Sequence, residues 1–494
     1  MQSWLKCLSI PPLLLGLTAG SAVLLWLASS LRHWLFQSAG WDLGIFDQGL
    51  YLLSQGLPPY STLREIHLLG DHAAWILYPI ALLYKLYPSV YWLLAIQALA
   101  LALGAIPTFA LARQADLPAP QALTLALVYL LYPLVFNVNL FDFHPEVLAV
   151  PLLLTAVWAA RSHRISAGDP RYLALFILCL LLTLGCKEVL GLTVAAMGIW
   201  LLVWERQRVC GFWAIAAGTL WFAIATQVII PAFSGLQPAG VSLYGYLGDS
   251  IPAVIANIFL KPQRVLGQLL SLGTLEYLAL LLGPVLWGLS IPALVPLLPA
   301  LPTLALNLLS SEPQQRNLTQ HYSLPILPFL ILAVITTLQG YHHRTERSWR
   351  RRSPLILGWA IAAFLLLAKY GYFGSLYLRS LDTWHASRTA IAQVKTTDPV
   401  LTTSNLAPHL THRRLIRQTQ ATSPPADLGE FYYGLLNVKQ PGWLSTPEFA
   451  QALVEQFQAD DRFTQVYAED GVYLFQKISK DNRSLGHDWS IPGG

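Results

Sequence analysis

Long apolar runs recur along this chain from about Pro11 to about Tyr370 and then stop. Lipid offers no water to backbone N–H and C=O groups, so a segment that crosses it must satisfy them internally, as a helix does. That constraint makes most of the chain an all-α polytopic transmembrane bundle. Composition agrees, because 55% hydrophobic and 12% charged residues over 494 positions is too apolar for an ordinary soluble protein of this size. Runs approaching the roughly 20 residues needed to span fall at 10–31, 90–112, 121–138, 145–160, 172–186, 189–204, 211–231, 273–290, 292–309, 324–340 and 354–370. They predict about 11 spans. The run 73–87 is short, carries Lys85 and abuts Pro88, which suits a juxtamembrane helix.

Orientation follows from the loops. Arg113, the group Arg161, Arg164 and Arg171, the pair Arg206 and Arg208, and the cluster Arg344–Arg352 fall on one side in short segments. Fewer basic residues are spread over the longer segments opposite. Cytoplasmic loops carry the Lys/Arg excess, so the N-terminus is expected in the cytoplasm and the C-terminal region outside, in a multi-pass plasma (inner) membrane protein. The net charge of +5 is thereby explained by topology, and nucleic acid is not an expected partner. Cys179 and Cys186 would lie two turns apart on one helix, about 10 Å, too far for a disulfide.

The expected organisation is a transmembrane domain over 1–370, a small extracytoplasmic α/β domain over 371–478 and a disordered tail over 479–494. In the second domain Val400–Ser404 reads as a strand and Pro447–Phe457 as a helix. Phe463–Tyr467 and Val472–Phe475 flank Glu469-Asp-Gly471, a hairpin signal.

With this threading the unusual polar residues gather on the extracytoplasmic face. Trp41-Asp-Leu-Gly-Ile-Phe-Asp-Gln48 places two acids in an apolar setting, where an unpaired carboxylate costs several kcal/mol. Asp42 suits a general base or metal ligand, whereas Asp47 suits either a ligand or the start of a helix. Asp71 and His72 follow in the same loop, as ligands or headgroup-level anchors. In Phe141-Asp-Phe-His-Pro-Glu146 the polar Asp142, His144 and Glu146 alternate with apolar residues, so an extended turn would aim them together at substrate or metal. Capping the next helix accounts for Glu146 alone. Lys187 and Glu188 are either an ion pair satisfying itself at a hairpin tip or a phosphate site supplied by Lys187. Arg316, Gln320 and His321 complete the set, and single residues of this kind in a loop are ordinarily just solvated. No Gly-rich phosphate loop, GxSxG elbow, CxxC pair or HExxH motif is present.

At Trp41-Asp-Leu-Gly-Ile-Phe-Asp-Gln-Gly-Leu-Tyr51, Gly70-Asp-His72, Phe141-Asp-Phe-His-Pro-Glu146, Lys187-Glu188 and Ser404-Asn-Leu-Ala-Pro-His409, the chain resembles a family of bacterial polytopic membrane proteins of unknown function, grouped with the GT-C superfamily of glycosyltransferases. The resemblance implies a GT-C-like fold and a glycosyltransferase moving a sugar, with inversion, from a polyprenyl-phosphate donor to an extracytoplasmic acceptor in the cell envelope. Asp42 matches the acid of the first outside loop in that superfamily. The chemistry then assigns Asp47, Asp71, His72, Asp142, His144 and Glu146 to substrate or to a divalent metal such as Mg or Mn. It assigns Lys187 and Arg316 to the lipid phosphate, with Glu188, Gln320 and His321 nearby. Two rivals are a transporter or flippase of a lipid-linked substrate and a non-catalytic envelope assembly protein. The charges gather at one face and not at the midplane, where transporter sites tend to lie.

Overall fold

The computed structural model describes residues 10–236, 239–342 and 346–478; Lys6, Cys7, Arg344 and the 479–494 tail lie outside them. Two compact units result, Met1–Arg379 and Ser380–Gly494. The expected second domain begins at 371, whereas the second unit begins at Ser380, inside the continuous helix Tyr370–Gln393.

The first unit is helical, apart from one small ribbon. Among the described residues five helices are long and apolar enough to cross a membrane, or seven if each of two bent pairs counts as one span. That is fewer than the eleven expected. Proline is one reason: Ala119–Leu130 and Pro133–Asn139 meet at 40°, where Pro133 lacks the N–H that would continue the first helix. Length is the other. Pro170–Leu184 has 15 residues and Leu190–Val203 has 14, reaching only about 21–22 Å against a hydrocarbon core of about 30 Å. The run 73–87 becomes the ten-residue helix Leu77–Leu86, about 15 Å long and too short to cross.

Two local features place the parts that matter for function. Leu190–Val203 packs antiparallel on Arg208–Ile224, and a Cβ on Gly218 would lie 2.5 Å from the Gly191 carbonyl oxygen. Only glycine permits that approach, in the manner of small-residue interfaces in lipid. Just before this hairpin, a Cβ on Gly185 would strike Trp75 at 2.6 Å, and the Gly185 carbonyl accepts the Ile76 N–H at 3.0 Å. The first loop is thereby seated against the turn that carries Lys187 and Glu188. Within that loop β1 (Tyr60–Ser61) and β2 (Ile66–His67) pair antiparallel. Gln48 anchors them by accepting from the Ser61 hydroxyl at 3.0 Å and the Thr62 N–H at 2.9 Å.

The second unit holds a five-stranded sheet. Its strands are β3 (Val400–Thr402), β4 (Ile416–Gln418), β5 (Tyr433–Asn437), β6 (Phe463–Glu469) and β7 (Val472–Lys477), in spatial order β4-β3-β5-β7-β6. The first three are mutually parallel and the last two antiparallel. The helix Pro447–Ala459 lays Leu453, Val454 and Phe457 on Leu401, Leu436 and Phe475. The hairpin read from Glu469-Asp-Gly471 is present, with positive φ at Asp470 and Gly471, as the twist of a tight β-hairpin requires.

Candidate functional site

A π-helical turn, Gly40–Gly44, carries Trp41 and Asp42 and feeds the helix Ile45–Ser54. Such widened turns displace side chains from the helical register. This one is braced from behind. Ala39, just ahead of it, donates its N–H to Asp142 Oδ2 at 3.0 Å, and Arg32 pairs with Asp142 Oδ1 at 3.0 Å. Arg32 also donates to the carbonyls of Gln37 (2.6 Å) and Leu140. Asp142 has a φ of 131°, a region that costs a non-glycine residue of order 1–3 kcal/mol. Burial pushes its carboxyl up to about 6, against the pull of Arg32.

In front of the turn lies a cavity of about 680 Å³. Asp42, 29% exposed, lines it with Oδ1 3.5 Å from His144 Nε2. The His144 ring stacks on that of His321, centroids 3.7 Å apart. His321 Nε2 lies 3.3 Å from Glu146 Oε1, and Lys187 Nζ donates to the same oxygen at 2.6 Å. Lys187 and Glu146 are both under a tenth exposed. Burial opposes the lysine's charge, but Glu146 and Glu188 outweigh it and hold the ammonium above its ordinary pKa. A second network forms the rim: His72 Nδ1 sits 3.2 Å from Glu188 Oε2, and Arg64 pairs with Asp71 at 3.1 Å. Burial disfavours a charged His72, yet Asp71 and Glu188 raise its pKa. The facing wall is apolar, built from Leu190, Phe222, Val254, Ile258 and Leu306.

Of the residues expected here, Asp42, Asp71, His72, His144, Glu146, Lys187, Glu188 and His321 line this one cavity. Four others do not. Asp142 turns back to Arg32, so the trio in Phe141–Glu146 divides, because its backbone departs from the extended form at Asp142. Asp47, 1% exposed, accepts from the Tyr84 hydroxyl at 2.6 Å and ties Ile45–Ser54 to Leu77–Leu86. Arg316 donates to the carbonyls of Leu308 and Ser310 beside the end of Leu301–Leu309. Gln320 donates to Gln314 at 3.4 Å. Lys187 and Glu188 do not satisfy each other, since each pairs with a residue distant in sequence. Two cavity residues went unremarked in the sequence. Arg64 lies 5.7 Å from the Trp41 ring centroid, and Tyr322 lies 5.5 Å under Lys187 Nζ. A lone loop arginine and a tyrosine beside His321 carry no distinctive sequence pattern.

The carboxylates of the cavity are engaged with basic side chains. Each cavity carboxylate already faces a basic group: Asp42 faces His144, Asp71 faces Arg64, Glu146 faces Lys187 and Glu188 faces His72. Among the described residues no three His, Cys, Asp or Glu side chains are grouped to hold an ion.

Comparison with known proteins gives the fold and the family. ArnT from Cupriavidus metallidurans bound to undecaprenyl phosphate matches with a TM-score of 0.55 at 12% identity, over 94% of this chain and 98% of that chain. The apo state of the same protein matches with a TM-score of 0.53 at 13% identity, over 93% and 98%. No curated protein matches by sequence. At such identities the likeness establishes a shared fold. The family described as predicted membrane protein (DUF2079) matches residues 32–474, and the chain belongs to that family.

Proposed function

We propose that this protein is an integral-membrane glycosyltransferase that moves a sugar from a polyprenyl-phosphate donor to an acceptor at the extracytoplasmic face. One observation carries the reading: a single cavity joins a floor of paired charges to an apolar wall, within the fold of a protein solved with undecaprenyl phosphate. A lipid-linked sugar has the same two-part character. The loop charges support eleven crossings with the cavity outside and the N-terminus in the cytoplasm.

In this reading Asp42, the partly exposed acid, takes the proton of the acceptor hydroxyl. The acceptor oxygen forms its bond to the anomeric carbon as the bond from that carbon to the phosphate oxygen breaks, which inverts the centre. The bonding pair leaves on the carrier phosphate. Lys187 meets that charge, released from Glu146 while His321 retains its contact with the carboxylate. An ammonium aimed at developing negative charge in a site with an apolar wall is the arrangement such a step needs. No step passes through a metal.

The test incubates purified protein in lipid nanodiscs with radiolabelled polyprenyl-phosphate sugars and bacterial envelope acceptors. Transfer is expected, and Asp42→Asn should slow it by about 10²–10⁴-fold. Full transfer by that variant would remove Asp42 from the role of base. Movement of intact donor across proteoliposomes, with no new glycosidic product, would replace the transferase reading with a flippase.

A further inference from the structure

Arginines gather at the end of the bundle opposite the cavity. The helix Leu190–Val203 runs from the turn bearing Lys187 and Glu188 to the turn 204–207, about 21 Å away by the rise per residue. The turn between Ala149–Ile165 and Pro170–Leu184 meets it there through Glu205. Arg161 holds that carboxylate twice, with Nη2 on Oε1 at 2.7 Å and Nε on Oε2 at 3.3 Å, and Arg164 donates to the Glu205 carbonyl at 2.9 Å. Asp169, the other acid of these two turns, pairs with Arg171 at 2.8 Å.

Arg164, Arg206 and Arg208 are left without a carboxylate. All three are exposed, and Arg206 and Arg208 reach no polar partner among the described residues. Orientation in the membrane asks for positive charge at this end, but it does not ask for these two positions. Arg206 has a φ of 54°, in a turn closed by the Gln207 N–H on the Leu201 carbonyl at 2.8 Å. Arg208 opens the helix Arg208–Ile224, whose first turn carries no acid and no side-chain cap. A residue other than glycine strains the turn at the first position, and a cation opposes the helix dipole at the second. The surface beside them is apolar: Trp204 and Trp213 are half exposed and Phe212 is 63% exposed. Indoles concentrate at the membrane–water boundary, so these guanidinium groups stand at the level of lipid headgroups.

We propose that Arg164, Arg206 and Arg208 form a binding surface for an anionic phospholipid of the cytoplasmic leaflet, such as phosphatidylglycerol. Guanidinium groups meet phosphate oxygens in a fixed fork, while the acyl chains run beside Trp204, Phe212 and Trp213. A zwitterionic lipid brings its own cation to the phosphate and gains less from three arginines. The surface lies at the far end of the bundle from the cavity and does not depend on the transferase reading.

Native mass spectrometry of the full chain, titrated with phosphatidylglycerol or with phosphatidylcholine of matched acyl chains, tests the proposal. Phosphatidylglycerol should bind about tenfold more tightly. Arg206→Gln combined with Arg208→Gln should weaken that binding about 30-fold, at about 1 kcal/mol for each arginine. Arg113→Gln combined with Arg171→Gln removes the same charge from the same membrane face and should leave the binding nearly unchanged. Glu146→Leu combined with Lys187→Met, which alters the cavity, should also leave it nearly unchanged. Equal binding of the two lipids overturns the proposal, as does binding undiminished by the Arg206/Arg208 pair. A loss in either control as large as in that pair does so too, since the lipid would then answer to a diffuse field or to the cavity.

Discussion

The Glu146–Lys187 pair is where the cavity's electrostatics can be measured without a substrate. Nζ and Oε1 lie 2.6 Å apart with both side chains under a tenth exposed, so removing one partner leaves the other as an uncompensated buried charge. That costs about 3–5 kcal/mol. Unfolding entropy of about 2.1 cal/mol/K per residue, over the Met1–Arg379 unit, comes to roughly 0.8 kcal/mol/K. Lys187→Met or Glu146→Leu alone should therefore lower the melting midpoint by about 4–6 °C. The double variant carries no orphaned charge and should recover most of the loss, since an apolar replacement of a buried pair is often neutral. His321, 3.3 Å from the same carboxylate oxygen, loses its partner in Glu146→Leu, so Glu146→Gln serves as a control that keeps an acceptor there. Intrinsic fluorescence during thermal unfolding in nanodiscs provides the readout. Midpoints of both single variants within 1 °C of wild type, or a double variant whose loss equals the sum of the singles, would refute a buried, mutually dependent pair.

Two further outcomes follow from the neighbouring geometry. Asp142 holds its proton to about pH 6, above its ordinary value of 3.8. A carboxyl raised on folding stabilises fully below the unfolded pKa and loses that contribution as pH rises through the folded one, here by about 3 kcal/mol between roughly pH 4 and 6. Melting midpoints taken across that window should fall in the wild type and stay flat in Asp142→Asn; parallel curves would contradict the assignment. Tyr84→Phe strips a donor from buried Asp47 and should cost about 1–3 kcal/mol, while leaving the affinity of the cavity for polyprenyl phosphate unchanged. Weaker lipid binding without a lower midpoint would return Asp47 to the site.

Much of the site was legible because intramembrane polar residues are expensive enough to stand out one by one. Asp42, His144 and Lys187 were each conspicuous against apolar neighbours, and the structure brings all three to one cavity together with His321, which read as an ordinary loop residue. Asp47 was equally conspicuous, yet its cost is met by Tyr84, a partner on a helix whose packing no local pattern reveals. Lys187 and Glu188 looked like a pair because they are adjacent, whereas their partners are Glu146 and His72. In the second unit the hairpin was readable from turn chemistry, but the register that sets Thr402 beside Gln418 was not. Single threonines and glutamines are unremarkable until strand pairing sets them side by side.

By itself the sequence determined that this chain lies in a membrane as a helical bundle, because a lipid environment leaves the backbone almost no alternative. It also marked which residues needed a reason to be there. Only the tertiary structure decided which marked residues share a cavity, which are satisfied elsewhere and how far each helix reaches. Those outcomes depend on close contacts such as Gly185 against Trp75 and on the φ of Asp142, which join segments far apart in the chain.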